Sequence, residues 1–288
     1  MEFRTKVEIP QPAFSIAPCE EMLFVGSCFA DNIGRRFRDE MFRATVNPFG
    51  VMYNPASILH TVERVLQSPD VAPRVAVFTL GTNHVYILKE TGEIVDNCRK
   101  RPQQLFQERE LSVEECEDYL LRAVNILRRR RPDVRVIVTV SPIRYAKYGF
   151  HGSQLSKATL LLAADRLTRE PSLADGQGGA AVTYFPAYEI VNDELRDYRF
   201  YADDMLHPSP LAVEYIWQRM VETFFSDRAK AFLREWAPLK KGFAHRPLNP
   251  DSPEYKAFRA RLVAGAEALK RRYPAMPLPS DASLNTGQ

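Results

Sequence analysis

Residues 22–37 read Met22-Leu23-Phe24-Val25-Gly26-Ser27-Cys28-Phe29-Ala30-Asp31-Asn32-Ile33-Gly34-Arg35-Arg36-Phe37. A short apolar run stops at a glycine, and a helical pattern follows at once. The stretch reads as a buried strand, a tight turn and a helix. A nucleophile on such a turn projects from the edge of a sheet. It also lies over the positive end of the next helix, where an anion is favoured. Both Ser27 and Cys28 are candidates. The residue two after the glycine begins the helix, so its own N–H can also face a developing oxyanion. That favours Cys28, with Ser27 second. Far downstream, Asp204-Met205-Leu206-His207 sets a carboxylate and an imidazole three residues apart. The set suggests a nucleophile, acid and base in that chain order, with Asp204 holding the tautomer of His207.

Working outward, three more apolar runs resemble strands buried on both faces: 75–80, 134–140 and 181–185. Helical patterns separate them. Asn54-Pro55 opens one. Ser112 with Glu115 forms the signature of a capping box for a second, and residues 156–167 give a third. Ser209-Pro210 caps a fourth, with Leu211, Tyr215, Ile216, Met220 and Phe224 as its apolar stripe. Strands alternating with helices predict a parallel α/β sheet covered on both faces. The spacing assigns residues 1–226 to this α/β domain. Residues 227–288 form a helical appendage, with a helix near 253–272 and a Pro-rich tail.

In a parallel sheet, ligands sit beyond the carboxyl ends of the strands. The distinctive polar residues fall there: Gly26-Ser27-Cys28, Gly81-Thr82-Asn83, Ser141-Pro142-Ile143-Arg144-Tyr145, and finally Asp204 and His207. Asn83 is a candidate side-chain donor to an oxyanion, although asparagine is also common in turns. Gly50, between Asn47-Pro48 and Asn54-Pro55, offers a backbone N–H but on its own reads as a turn. Tyr86, Asn97, Arg99, Arg144 and Tyr145 are candidates for a substrate rim, polar and aromatic in a way that suits a sugar.

The 288 residues carry a net charge of +3, with 45% apolar and 26% charged residues, which implies neither a nucleic-acid nor a membrane partner. The one basic run, Arg128–Arg131, ends a helical pattern and suits its dipole. Cys19, Cys28, Cys98 and Cys116 show no paired spacing, so neither a disulfide framework nor a zinc site is expected. With no signal-like segment in the first twenty residues, the expectation is a reduced, cytoplasmic protein. His60 reads as packing, His84 and His151 as candidate cleft residues, and no metal or other cofactor is expected.

These motifs resemble the GSCFA family, whose signature is Gly26-Ser27-Cys28-Phe29-Ala30, and through it the SGNH (GDSL-type) hydrolase superfamily. The likeness spans roughly residues 5–250. It includes Asn47-Pro48-Phe49-Gly50, Thr79-Leu80-Gly81-Thr82, Asn97-Cys98, Ser156-Lys157-Ala158 and Asp204-Met205-Leu206-His207-Pro208-Ser209. The resemblance implies a flavodoxin-like, three-layer α/β/α sandwich. It implies Cys28 in the place of the superfamily serine, Gly50 and Asn83 as oxyanion donors, and Asp204 and His207 as the acid–base pair. The expected activity is an esterase that removes a small acyl group, such as acetyl, from a carbohydrate or another polar alcohol through an acyl-enzyme. An acyltransferase with a thioester donor and a non-catalytic glycan-binding module are the alternatives. The oligomeric state stays open.

Overall fold

The structure is a computed structural model that describes residues 4–96, 98, 101–174 and 180–277. Its centre is a five-stranded parallel sheet of β1 (Glu21–Gly26), β2 (Arg43–Val46), β3 (Val75–Leu80), β7 (Arg135–Val140) and β8 (Val182–Tyr184), in the order β2-β1-β3-β7-β8. Register is regular: Phe24 pairs with Val77, and Val77 with Ile137. Alternate residues of each strand face opposite sides. Phe24, Val77 and Ile137 pack against α1 (Cys28–Asp39) and α6 (Pro210–Phe224). Leu23, Val25, Phe78 and Val138 pack against α2 (Pro55–Val65), α3 (Val113–Arg130) and α4 (Gly149–Arg169). Two buried cores therefore sandwich the sheet, the three-layer α/β/α arrangement that the sequence implies.

The helix starts follow the capping chemistry. Asn54 Oδ1 accepts from Ser57 N at 2.9 Å. Ser112 Oγ accepts from Glu115 N at 3.2 Å while Glu115 Oε2 accepts from Ser112 N at 2.9 Å, a reciprocal capping box. Ser209 Oγ accepts from Ala212 N at 3.2 Å, with Pro210 at the first helical position. Replacing Ser112 with alanine orphans one of these amides. It should lower stability by about 1 kcal/mol in a urea titration, with no change in the slope of the transition.

Three elements depart from the sequence expectation. β2 is a strand at the sheet edge, paired only with β1 and only partly buried, so its Arg-Ala-Thr-Val sequence carries no continuous apolar run. A second, antiparallel sheet of β4 (His84–Leu88), β5 (Ile94–Val95) and β6 (Phe106–Glu110) sits beside the core in the order β5-β4-β6. Its strands are short, and β6 is mostly charged. Helix α4 begins at Gly149, seven residues before the expected start. Gly149 and Gly152 disguise its first turns as a loop.

After α6 the chain continues through a two-residue joint, Phe225 and Ser226, into α7 (Asp227–Phe243) and then α8 (Pro253–Arg272). Pro238 lies inside α7, which continues past it to Phe243. Trp236 is 1% exposed and donates its indole N–H to the Asp39 carbonyl at 3.0 Å. Lys240 pairs with Glu40 at 2.9 Å. These two contacts seat α7 on the carboxyl end of α1, and Phe232, Trp236 and Leu269 join the same core as Phe37 and Trp217. Between β8 and α6 lies the short α5 (Ala187–Glu189), which runs on into a wider-wound turn over residues 190–195. Among the described residues, no helix is long and apolar enough to cross a membrane. Most of the proline-rich tail lies outside the described residues.

Candidate active site

The turn between β1 and α1 is built on a glycine that accepts no substitute. Gly26 has φ +145°, and a Cβ there would lie 2.2 Å from the Thr79 carbonyl oxygen of the neighbouring strand. Gly26 N–H donates to Asn47 Oδ1 at 2.9 Å, and Ser27 N–H donates to the Thr79 carbonyl at 3.1 Å. The chain is thus pressed against β3 just before the helix begins.

This turn separates the two nucleophile candidates. Ser27 is 1% exposed. Its hydroxyl accepts from Phe29 N at 3.2 Å and meets Thr79 Oγ1 at 3.1 Å, so it serves as the helix cap. Cys28 is half-buried, and its sulfur faces a cavity of about 270 Å³. The Cys28 N–H, at the first position of α1, has no acceptor among the described residues. The cavity is lined by the strand ends that the sequence singles out: Ser27 and Cys28 after β1, Gly81 after β3, Ser141, Ile143, Arg144 and Tyr145 after β7, and Leu206 with His207.

Asp204 and His207 are joined as a pair. His207 Nδ1 and Asp204 Oδ2 are 2.6 Å apart, and Asp204 Oδ1 accepts the N–H groups of Leu206 and His207, both at 2.9 Å. One carboxylate thereby folds its own loop and orients the imidazole. The backbone N–H of His207, then that of Leu206 and the imidazole, hold the Asp204 carboxyl down at about 2. It stays ionised throughout the neutral range. With Nδ1 committed to Asp204, Nε2 is the nitrogen left for the cavity. The loop is fastened to the sheet edge by Arg144, whose N–H donates to the Leu206 carbonyl at 2.9 Å and whose guanidinium donates to the Met205 carbonyl at 3.0 Å while lying over Phe150. The sulfur of Cys28 makes its hydrogen-bond contact with Tyr53 Oη, at 3.8 Å, and not with His207. Such contacts are commonly long before a substrate binds.

Tyr53 was not anticipated from the sequence. It precedes Asn54, the cap of α2, and its carbonyl accepts from Gly81 N at 2.9 Å and Thr82 N at 2.8 Å. Burial, and then the neighbouring Cys28, push its hydroxyl up to about 12, so it remains a proton donor beside the sulfur. Lys157 was also missed, although it lies in a quoted motif; it lines the cavity from α4.

Other expected site residues are placed differently. Asn83 is 2% exposed, and its amide donates to the Leu111 carbonyl at 2.8 Å. It ties the small sheet to the core and does not line the cavity. Gly50 is exposed, and its N–H closes a turn onto the Asn47 carbonyl at 2.9 Å. Neither of the two lines the cavity that holds Cys28. Tyr86 stands behind the rim: its hydroxyl is held by Lys147, which lines the cavity and pairs with Glu108 at 2.9 Å. Arg144 and Tyr145 line the cavity as expected positions. Asn97 and Arg99 lie outside the described residues. His84 is buried under Tyr148, with ring centroids 3.6 Å apart, and His151 is exposed; neither lines the cavity. His60 Nδ1 meets Asp96 at 2.8 Å, and that hydrogen bond raises its pKa. Among the described residues, no group of three or more His, Cys, Asp or Glu side chains is placed to hold a metal ion.

Among solved structures, a Streptococcus pneumonia protein aligns with 72% of this chain and 84% of its own, at 14% identity and a TM-score of 0.46. A mutant acetyl esterase with an acetate ion aligns over 75% of this chain and 99% of its own, at 11% identity and a TM-score of 0.43. A carbohydrate esterase family 3 protein from Talaromyces cellulolyticus aligns over 75% and 99%, at 10% identity and a TM-score of 0.38. No curated protein matches. The GSCFA family matches residues 21–74 and 70–220, and the GSCFA domain protein, C-terminal domain, matches residues 236–281. With the matched segments spanning the Gly26–Cys28 turn, the Asp204–His207 pair and the C-terminal helices, the chain belongs to the GSCFA family.

Proposed function

We propose that the protein is an ester hydrolase in which Cys28 is the nucleophile, His207 the general base and Asp204 its orienting carboxylate. The observation that carries this reading is the meeting of Cys28 and His207 on the wall of one cavity, with Asp204 fixed to the far nitrogen of the imidazole. His207 takes the thiol proton, the thiolate attacks the acyl carbonyl, and the same imidazole returns the proton to the departing alcohol. Water then cleaves the thioester with His207 again as base. Cys28 N–H, free at the start of α1, is one donor to the oxyanion.

The substrate we propose is a small acyl ester, such as the acetyl ester of a carbohydrate or another polar alcohol. The support is the rim: Tyr53 and Tyr145 offer aromatic faces, while Arg144 offers guanidinium donors and Lys147 a positive charge. The test is to mix the protein with p-nitrophenyl acetate, quench early and digest for mass spectrometry. An acetyl group on Cys28, absent from the Cys28→Ala variant, is the expected result. An adduct on Ser27, or turnover that survives Cys28→Ala, overturns the assignment. Adding a sugar alcohol as a competing acceptor measures how the thioester divides between water and transfer.

A further inference from the structure

Lys157 is 2% exposed, yet its ammonium lines the cavity that holds Cys28 and His207. Nζ donates to the Gly81 carbonyl at 2.7 Å and to the Ser141 carbonyl at 2.8 Å, the first residues beyond β3 and β7. An ammonium has three donors. Two are used, and the third has no protein acceptor among the described residues. Burying a cation without a counter-ion is strongly unfavourable. The titratable and charged groups that face the same cavity are Cys28 from α1, Tyr53 from the loop before α2, Arg144, Tyr145 and Lys147 after β7, and His207. None is a carboxylate. The charge is thus held where an anion must come from outside the fold or arise during a reaction.

The donor census points the same way. The amide of Asn83 gives one of its two N–H groups to Leu111 and lies outside the cavity lining, and the N–H of Gly50 is turned onto Asn47. That leaves the Cys28 N–H short of a partner donor for a negative oxygen. We propose that Lys157 is the charged donor of the oxyanion hole, its third N–H and the Cys28 N–H together receiving the oxygen that turns negative when the Cys28 sulfur attacks an acyl carbonyl. This rests on the reading of Cys28 as the nucleophile. As the S–C bond forms, the carbonyl π pair moves onto oxygen, and Lys157 keeps its proton. As the intermediate collapses, that pair re-forms the carbonyl, the ester C–O bond breaks, and the alkoxide takes the proton held on His207.

Two reactions of the same sulfur separate this role from a structural one. Ester acylation passes through an oxyanion; alkylation by iodoacetamide does not. In Lys157→Met, Cys28 acylation by p-nitrophenyl acetate should fall about 10²–10³-fold, while alkylation, measured where its rate no longer rises with pH, is unchanged. A parallel fall in both reactions assigns Lys157 to the thiolate or to holding β3 and β7 together, and overturns the proposal. Equal acylation by variant and wild type also overturns it while leaving Cys28 as nucleophile. Failure of wild-type Cys28 to acylate removes the parent reading and this one with it.

The pH profile gives an independent readout. Burial draws Lys157 down to about 7, so the active cation is lost as pH rises through that region. Wild-type acylation should therefore show a falling alkaline limb that is absent from Lys157→Met. If the methionine variant does not fold, Lys157→Gln, a neutral donor, should lack the same limb. A limb that persists in the variant refutes the role.

Discussion

His207→Ala should lower kcat/KM for a small acyl ester by about 10⁴–10⁶-fold with little change in KM, because the proposed mechanism uses this base at every proton transfer and the rim is untouched. The geometry makes a sharper statement about Asp204. Its Oδ1 accepts two backbone N–H groups and its Oδ2 meets His207 Nδ1. Asparagine can keep the first set of bonds, so Asp204→Asn preserves the loop. Its amide then presents N–H where the carboxylate was, which forces the imidazole to carry its proton on Nε2 and face Cys28 as a donor. Loss of about 10⁴-fold in kcat is expected from the wrong tautomer. Asp204→Ala should lose at least as much and also loosen the loop, visible as faster amide exchange at Leu206 and His207. An Asn variant with near wild-type turnover would show that His207 does not act through Nε2.

Gly26→Ala is the largest expected loss of stability. The new methyl group would sit 2.2 Å from the Thr79 carbonyl oxygen, 2.5 Å from its hydroxyl and 2.8 Å from its amide nitrogen. Two of the three are backbone atoms of a central strand and cannot swing away. The residue must also hold φ +145°. Strain and overpacking together should cost about 4 kcal/mol, a large share of the stability of a typical domain. The measurement is the urea midpoint, read beside Gly50→Ala. Gly50 also has positive φ, but nothing lies within 4 Å of its added Cβ, so its loss reflects backbone strain alone. Similar midpoints for the two variants would mean that β1 and β3 part more easily than their packing implies.

The strand, turn and helix around Gly26 were legible because three signals coincide: an apolar run, a glycine and an immediate helical pattern. The pairing of Asp204 with His207 was legible because both precede Pro208-Ser209-Pro210, which fixes where α6 begins. The direction in which a side chain turns was not. Asn83 follows β3 at a position suited to an oxyanion donor, but a carbonyl at Leu111, just beyond β6, claims its amide. That carbonyl belongs beside a sheet whose short, charged strands left no periodic trace. Lys157 was invisible as a cavity residue for the opposite reason. A lysine in a helical pattern is ordinarily solvated, and only the two carbonyls at the ends of β3 and β7 draw it inside.

Helix α1 is anchored at both ends. Its first turn is pinned to Thr79 through Ser27, and its last is gripped by the indole of Trp236 and by the ion pair of Lys240 with Glu40. A rod fixed in this way behaves as a strut. A disturbance at Trp236, some two hundred residues along the chain from the thiol, reaches the sulfur as a small change of aim. Sequence variation in α7 should accordingly drift together with variation along α1, and the aim of the Cys28 sulfur could be tuned from a helix that lies outside the cavity lining.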